Sequence, residues 1–148
     1  MREILFRGKT QQPCGEWIYG SLLTNYPCCK NEVDETVKEY HIIDGKAREL
    51  KMVQVIPETV GQYTGLTKND NKIFEGDVFA WNDNEIDEIT GKPYPDEISV
   101  VCFDDEKSAF VSKTLNGGCE GLYETISDKN SRYIGNIHDN PELLKGGD

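Results

Sequence analysis

Apolar and polar residues alternate along several short stretches of the chain, with a period of two residues. This period is typical of β-strands that bury one face and expose the other. Because fourteen glycines provide turn positions, the strands are predicted to form antiparallel hairpins. The predicted strands are Glu3–Arg7, Glu16–Leu23, Glu39–Ile43, Met52–Ile56, Lys72–Trp81, Glu97–Phe103, Ala109–Lys113 and Arg132–Ile137.

Helical signals are weak, because no segment of twelve residues keeps apolar positions at i, i+3, i+4 and i+7. Two short helical turns are predicted, at Pro57–Val60 and Asn140–Leu144, since Pro fits a first turn and Asn caps one. The predicted fold class is therefore mainly β. We expect short antiparallel strands in one or two small barrel-like (SH3-like) subdomains, with one or two short helical turns.

A chain of 148 residues fits one domain, and two subdomains divided near residue 57 are an alternative. The polar, acidic segment 82–97 contains Gly91, Pro93 and Pro95 and is predicted to be a long exposed loop. Residues 145–148 are expected to form a frayed tail.

The charge is strongly negative, with 16 Lys and Arg against 27 Asp and Glu, for a formal net charge of -11. Nine of the acids and one Lys lie between Asp83 and Glu106. This balance argues against direct binding to nucleic acid or to an anionic membrane, both of which attract basic surfaces. No apolar run is long enough to span a bilayer, and the charged N-terminus does not resemble a signal peptide, so a cytoplasmic location is expected. The odd number of five cysteines indicates reduced thiols.

Three interpretations of the acidic segment follow from its composition. It is a surface for a protein partner, a decoy that mimics DNA for a host nucleic-acid-binding protein, or a solvated loop without a role. The candidate partner surface consists of six carboxylates: Asp83, Glu85, Asp87, Glu88, Asp96 and Glu97.

Catalytic residues are not predicted. Gly117–Gly121 has the glycine spacing of a nucleophile elbow with Cys119 at its centre, but that motif needs a parallel sheet and a His base. His41 and His138 are the two histidines, and no βαβ pattern surrounds Cys119. A small enzyme that uses Cys119 or a carboxylate pair is the least favoured hypothesis.

Metal and cofactor sites are not predicted either. Cys28 and Cys29 are adjacent, whereas zinc ligands are usually two to four residues apart. Counting from Asp83 places Glu88 and Tyr94 where a calcium-binding EF-hand loop requires Gly and Glu. No glycine-rich phosphate-binding loop is present.

Two segments, Val60–Val78 and Tyr133–Leu144, resemble the signature blocks of YopX-type phage proteins. The opening segments Arg2–Lys9 and Gly15–Gly20 are similar to the start of that family, and the order is kept across nearly the whole chain. Asp70-Asn71 stands where the family usually has Asn-Gly, although Asn tolerates a left-handed turn. The resemblance implies a β-rich fold and a phage or prophage origin, without an established activity. We therefore expect a non-enzymatic module that binds a protein partner or itself in a bacterial host.

Overall fold

The computed structural model describes residues 1–11, 15–24, 39–46 and 48–145 of the chain. These residues are mainly β, as predicted, and form two antiparallel sheets. The chain divides into two compact units, Met1–Gly65 and Leu66–Asp148, here called unit 1 and unit 2. Each unit is described separately below. The boundary follows Gly65, which lies inside a strand, whereas the division proposed from the sequence was near residue 57.

Most of the predicted strands are present, with ends shifted by a few residues because the alternating pattern does not define where pairing stops. Lys72–Trp81 is split into two strands by the turn at Glu75-Gly76. The strands are β1 Phe6–Lys9, β2 Trp17–Thr24, β3 Tyr40–Asp44, β4 Met52–Val55, β5 Gly61–Lys68, β6 Asn71–Phe74, β7 Asp77–Trp81, β8 Glu97–Asp104, β9 Ala109–Thr114, β10 Cys119–Gly121 and β11 Ser131–Asn136.

In unit 1 the strand order is β4-β3-β2-β1-β5, with Ile42 and Val55 fully buried on one face. A side chain at Gly8 of β1 would come within 2.9 Å of the Val55 side chain, so glycine allows β4 to pack against β1. The N–H of Ile56 also donates a hydrogen bond to the carbonyl of Lys9, at 2.8 Å. The sheet therefore curls strongly, as small barrels do, but it does not close into a barrel.

The turn of the β5–β6 hairpin is the place where Asp70-Asn71 replaces the expected Asn-Gly. Asn69 and Asp70 adopt φ values of 50° and 64°, respectively. Left-handed residues at both central positions are the geometry of a type I′ hairpin turn, which matches the twist of the strands. The turn thus survives, as predicted, although its left-handed residues are Asn69 and Asp70.

In unit 2 the five-stranded sheet has the order β10-β9-β8-β7-β11, with antiparallel neighbours. One face is covered by the helix α1, Leu122–Ser127, which was not predicted from the sequence because six residues are too few to show a helical period. Leu122 and Ile126 of this helix are buried in a core cluster with sheet residues. That cluster comprises Ile73, Phe79, Val101, Leu122 and Ile126.

Both predicted helical turns are confirmed as short 3-10 helices, at Pro57–Thr59 and Pro141–Lys145. The remaining residues of the predicted frayed tail, 146–148, lie outside the described residues, as do Cys14, Cys28 and Cys29. None of the helices in the described ranges has the length and hydropathy of a membrane-spanning segment.

Candidate protein-binding site

Negative charge is concentrated in unit 2. Unit 1 contains eight basic and nine acidic residues, whereas unit 2 contains eight basic and eighteen acidic residues. Unit 2 therefore carries -10 of the formal net charge of -11. An interaction driven by this charge has to be sought on unit 2.

The segment between β7 and β8 is a long connection whose residues are mostly exposed, and it folds back on itself as a small hairpin. We call residues 82–96 the acidic hairpin. Ile86 and Pro93 form an isolated antiparallel bridge. The N–H of Asp87 donates to the carbonyl of Lys92 at 2.9 Å, and the N–H of Tyr94 donates to the carbonyl of Glu85 at 3.2 Å. The acidic side chains are therefore presented on a folded element.

Three of the six candidate carboxylates stabilise this hairpin. Asp83 accepts a hydrogen bond from the N–H of Glu85 at 2.9 Å. Asp87 accepts from the N–H groups of Thr90 and Ile89, and these bonds hold the pKa of Asp87 below its usual value. Asp96 pairs with the guanidinium of Arg132 and ties the hairpin to β11.

Two of the other three carboxylates face outward. Glu85 and Glu88 are exposed and have no side-chain hydrogen bond or ion pair within the described residues. Glu97 begins β8 and lies directly opposite Trp81 of β7. The six carboxylates predicted from the sequence therefore lie on one hairpin and its base, but they have different roles.

Apolar side chains are exposed beside these acids. Ile86, Ile89 and Tyr94 are 60%, 95% and 50% exposed, respectively. Exposed apolar side chains provide area that is removed from water when a partner binds. The acidic hairpin thus offers both charge and apolar area.

A small pocket of about 220 Å³ opens at the base of the acidic hairpin. Its floor comes from one face of the sheet, because Trp81 pairs with Glu97 and Ser99 pairs with Thr114 in the strand ladders. The helix α1 and the residue that follows it supply the other wall. The lining residues are Trp81, Glu97, Ser99, Thr114, Glu120, Glu124, Thr125 and Asp128.

Asp128 is fixed at the end of α1 by hydrogen bonds. Its carboxylate accepts from the indole N–H of Trp81 and from the N–H of Asn130, both at 2.8 Å. The bond from Asn130, the bond from Trp81 and the nearby Lys68 hold the pKa of Asp128 below its usual value. The ammonium of Lys68 donates to the carbonyls of Ile126 and Asp128, which places a cation at the C-terminal end of the helix dipole. Asp128 is therefore an anion at neutral pH.

The pocket combines four carboxylates with an aromatic wall and contains no basic lining residue. Such a lining repels anions and attracts cations, which carboxylates bind by charge-assisted hydrogen bonds and indole rings bind through their faces. No group of three metal-ligating side chains occurs among the described residues. The arrangement is suited to a basic side chain of a partner.

Cys119, the centre of the elbow-like motif, begins the edge strand β10 after the Gly117-Gly118 turn. A glycine turn thus precedes Cys119, and the strand belongs to an antiparallel sheet. The thiol of Cys119 contacts the ammonium of Lys107 at 3.1 Å. This hydrogen bond is the main cause that raises the pKa of Lys107, so the ammonium keeps its proton and is not poised to act as a base.

The two signature blocks meet within unit 2, because Asp77 and Asn136 are paired in the β7–β11 ladder. Asp77 is 1% exposed and accepts a hydrogen bond from the N–H of Phe74 at 2.8 Å, which closes the β6–β7 turn. The Asn136 side chain bonds to Asp139 and accepts the N–H groups of His138 and Asp139. Both blocks therefore stabilise turns through buried polar groups.

Residues 5–145 match the family described as YopX protein, and the match covers nearly the whole chain. The chain belongs to the YopX protein family. No curated protein matches this YopX-family chain. Membership explains the signature blocks, and it assigns no activity.

The pocket residues contributed by β10 and α1 were not predicted from the sequence. Glu120, Glu124 and Asp128 are far along the chain from Trp81, and no local pattern links them. The register of β8, β9 and β10 brings Glu120 to the same face as Ser99, through Ser112. The acid-rich window ending at Glu106 identified the hairpin but not this second acidic group.

Proposed function

We propose that this YopX-family chain is a non-enzymatic protein-interaction module, and that the acidic hairpin with its adjoining pocket binds a partner that presents basic and apolar side chains. One observation carries the proposal: Glu85, Glu88 and the exposed apolar residues project from a folded hairpin whose base opens into an acidic pocket. Charge attracts and orients the partner, and apolar contact supplies affinity.

Electrostatic complementarity mainly raises the association rate and selects the partner. Glu85 and Glu88 are suited to this role because, within the part of the chain that the structure describes, their side chains make no bond that binding would have to break. Ile86, Ile89 and Tyr94 provide apolar area next to these charges. Binding through such a surface weakens with salt, since the Debye length falls from about 8 Å at 0.15 M to about 3 Å at 1 M.

The DNA-mimic hypothesis is less well supported. A mimic needs a row of free carboxylates, but Asp83 and Asp87 bond to the hairpin backbone and Asp96 is paired with Arg132. We therefore favour recognition of a protein surface that includes apolar contacts. On the resemblance to phage proteins, we further propose that the partner is a protein of the bacterial host cytoplasm.

The test uses two variants with the same change in charge. Glu85→Lys/Glu88→Lys reverses two charges on the acidic hairpin. The control variant Asp105→Lys/Glu106→Lys reverses the charges of two exposed acids in the β8–β9 turn. Affinity capture from bacterial lysate, quantified by mass spectrometry, should yield a partner retained by wild type and by the turn variant. With the purified partner, the hairpin variant should bind at least about tenfold more weakly, because like charges now oppose each other.

Equal binding of the partner to both variants would refute the assignment of the hairpin. A competition experiment with duplex DNA distinguishes the protein-surface hypothesis from the DNA-mimic hypothesis for the acidic segment. If duplex DNA displaces the chain from a partner that binds nucleic acid, the mimic hypothesis replaces the one proposed here. Undiminished binding in the presence of DNA supports the protein-surface hypothesis.

A further inference from the structure

The turn between β9 and β10 contains the single Asn-Gly pair of the sequence, Asn116-Gly117. Both residues are exposed, and the Asn116 side chain makes no hydrogen bond within the described part of the chain. Each of the other asparagines is followed by a residue that carries a side chain. Asn116 therefore combines an exposed side-chain amide with an unshielded backbone nitrogen directly after it.

This pairing of groups has a characteristic chemistry. The backbone nitrogen after an asparagine attacks the side-chain amide carbon, and the new carbon–nitrogen bond closes a succinimide ring. The bond from that carbon to the side-chain nitrogen breaks, and ammonia leaves with the proton that the backbone nitrogen gives up. Water then opens the ring at either carbonyl, which yields aspartate or isoaspartate. Nothing is oxidised or reduced, and glycine favours the attack because it has no Cβ beside the nitrogen.

The turn itself requires the glycine that makes this reaction possible. Gly117 has φ of 92°, in the left-handed region that favours glycine. A side chain built at Gly117 would have no atom within 4 Å, so the space beside its nitrogen is open. The residue that forms the turn is thus also the residue that exposes Asn116 to attack.

Two hydrogen bonds to Thr114 oppose the reaction in the folded turn. The N–H of Gly117 donates to the Thr114 carbonyl at 3.0 Å, and the N–H of Gly118 donates to Oγ1 of Thr114 at 2.8 Å. A succinimide nitrogen carries no hydrogen, so the Gly117 bond has to break before the ring closes. The turn therefore reacts from a locally opened state.

From these observations we infer that the β9–β10 turn is a self-modification site, at which Asn116 deamidates through attack by the Gly117 nitrogen when the turn opens. The product adds a carboxylate to unit 2, and isoaspartate also lengthens the main chain of the turn by one methylene group. Because loop length sets the register of a hairpin, the lengthened turn should loosen β10. The inference goes beyond the proposed function, since the reaction needs no partner.

The test incubates the purified full chain in mildly alkaline buffer made with water that contains heavy oxygen, followed by peptide mapping with mass spectrometry. Ring opening places the heavy oxygen in the new carboxylate, which separates this reaction from deamidation during digestion. The label should appear at Asn116, about fivefold more slowly in the folded chain than in urea, the factor that one hydrogen bond of ordinary net strength provides. Asn84 is exposed and precedes Glu85, so it serves as the internal control and should react far more slowly.

Two variants test the chemistry and the protection separately. Asn116→Gln keeps an amide but would have to close a larger ring, so the label should be lost. Thr114→Val removes the acceptor of the Gly118 N–H and should speed labelling of Asn116 without changing Asn84. In the reacted chain the N–H of Thr114, which donates to the Gly118 carbonyl at 2.9 Å, should exchange with deuterium faster than in the unreacted chain.

The inference is overturned if Asn84 acquires the label as fast as Asn116, or if Asn116 acquires it in urea and never in the folded chain. It is equally overturned if Thr114→Val reacts no faster than wild type. None of these results involves a binding partner, so the proposed function stands or fails independently on the variants of Glu85 and Glu88.

Discussion

Asp77→Ala tests whether the first signature block stabilises the fold or forms part of a binding site. Asp77 is 1% exposed, and its carboxylate accepts the N–H of Phe74, which is 3% exposed. The substitution removes a hydrogen bond to a charged group and leaves a buried N–H without this partner, at a cost of about 2 to 4 kcal/mol. At roughly 4 °C per kcal/mol for a domain of this size, the melting temperature should fall by about 8 to 16 °C.

The measurement is urea and thermal unfolding followed by tryptophan fluorescence, together with binding of the captured partner below the melting temperature. Asp77→Asn keeps an acceptor oxygen and should lose less stability than Asp77→Ala. Asp105→Ala removes an exposed carboxylate and serves as the control. The structural interpretation is refuted if Asp77→Ala melts within about 1 °C of wild type and yet loses partner binding.

Two further outcomes follow from unit 2. Gly135 has φ of 146°, and a side chain there would lie 2.3 Å from Oδ1 of Asn140, so Gly135→Ala should melt well below Gly91→Ala. Gly91 has φ of 68°, in the left-handed region that other residues also adopt, and open space around it, so the calorimetric difference between the two variants reports the combined cost of backbone strain and steric overlap at Gly135. Because the pKa of Asp128 is lowered on folding, its ionised form stabilises the fold above its unfolded pKa, and this contribution is lost as the pH falls through the folded pKa. Asp128→Asn should therefore flatten the acid limb of the stability profile measured by urea unfolding, and an unchanged acid limb would contradict the role of the Trp81 and Asn130 bonds.

The strands were predictable because alternation is a local property of the sequence. Segments such as Glu97–Phe103 and Ala109–Lys113 coincide with β8 and β9 to within one residue. The helix α1 was not predictable from periodicity, since its two turns are held by burial of Leu122 and Ile126 against the sheet. Closure of a barrel likewise depends on strand pairing, which the pattern of single residues does not specify.

The candidate site was predictable only in part, and for the same reason. The acid-rich window predicted Glu85 and Glu88, because acids that are close along the chain also lie close together on one hairpin. It did not distinguish them from Asp83 or Asp87, whose carboxylates bond to the backbone. The pocket is created by strand register and by α1, so its residues share no sequence pattern.

The most direct test of the central claim is hydrogen–deuterium exchange of the chain, free and bound to its captured partner. The N–H groups of Asp87, Gly91 and Tyr94 are in hydrogen bonds within the acidic hairpin, and they exchange by local opening in the free chain. We predict that the partner slows exchange across residues 82–96 and at the end of α1, and leaves the β8–β9 turn unchanged. Protection confined to other parts of the chain, with unaltered exchange in the acidic hairpin, would contradict the account.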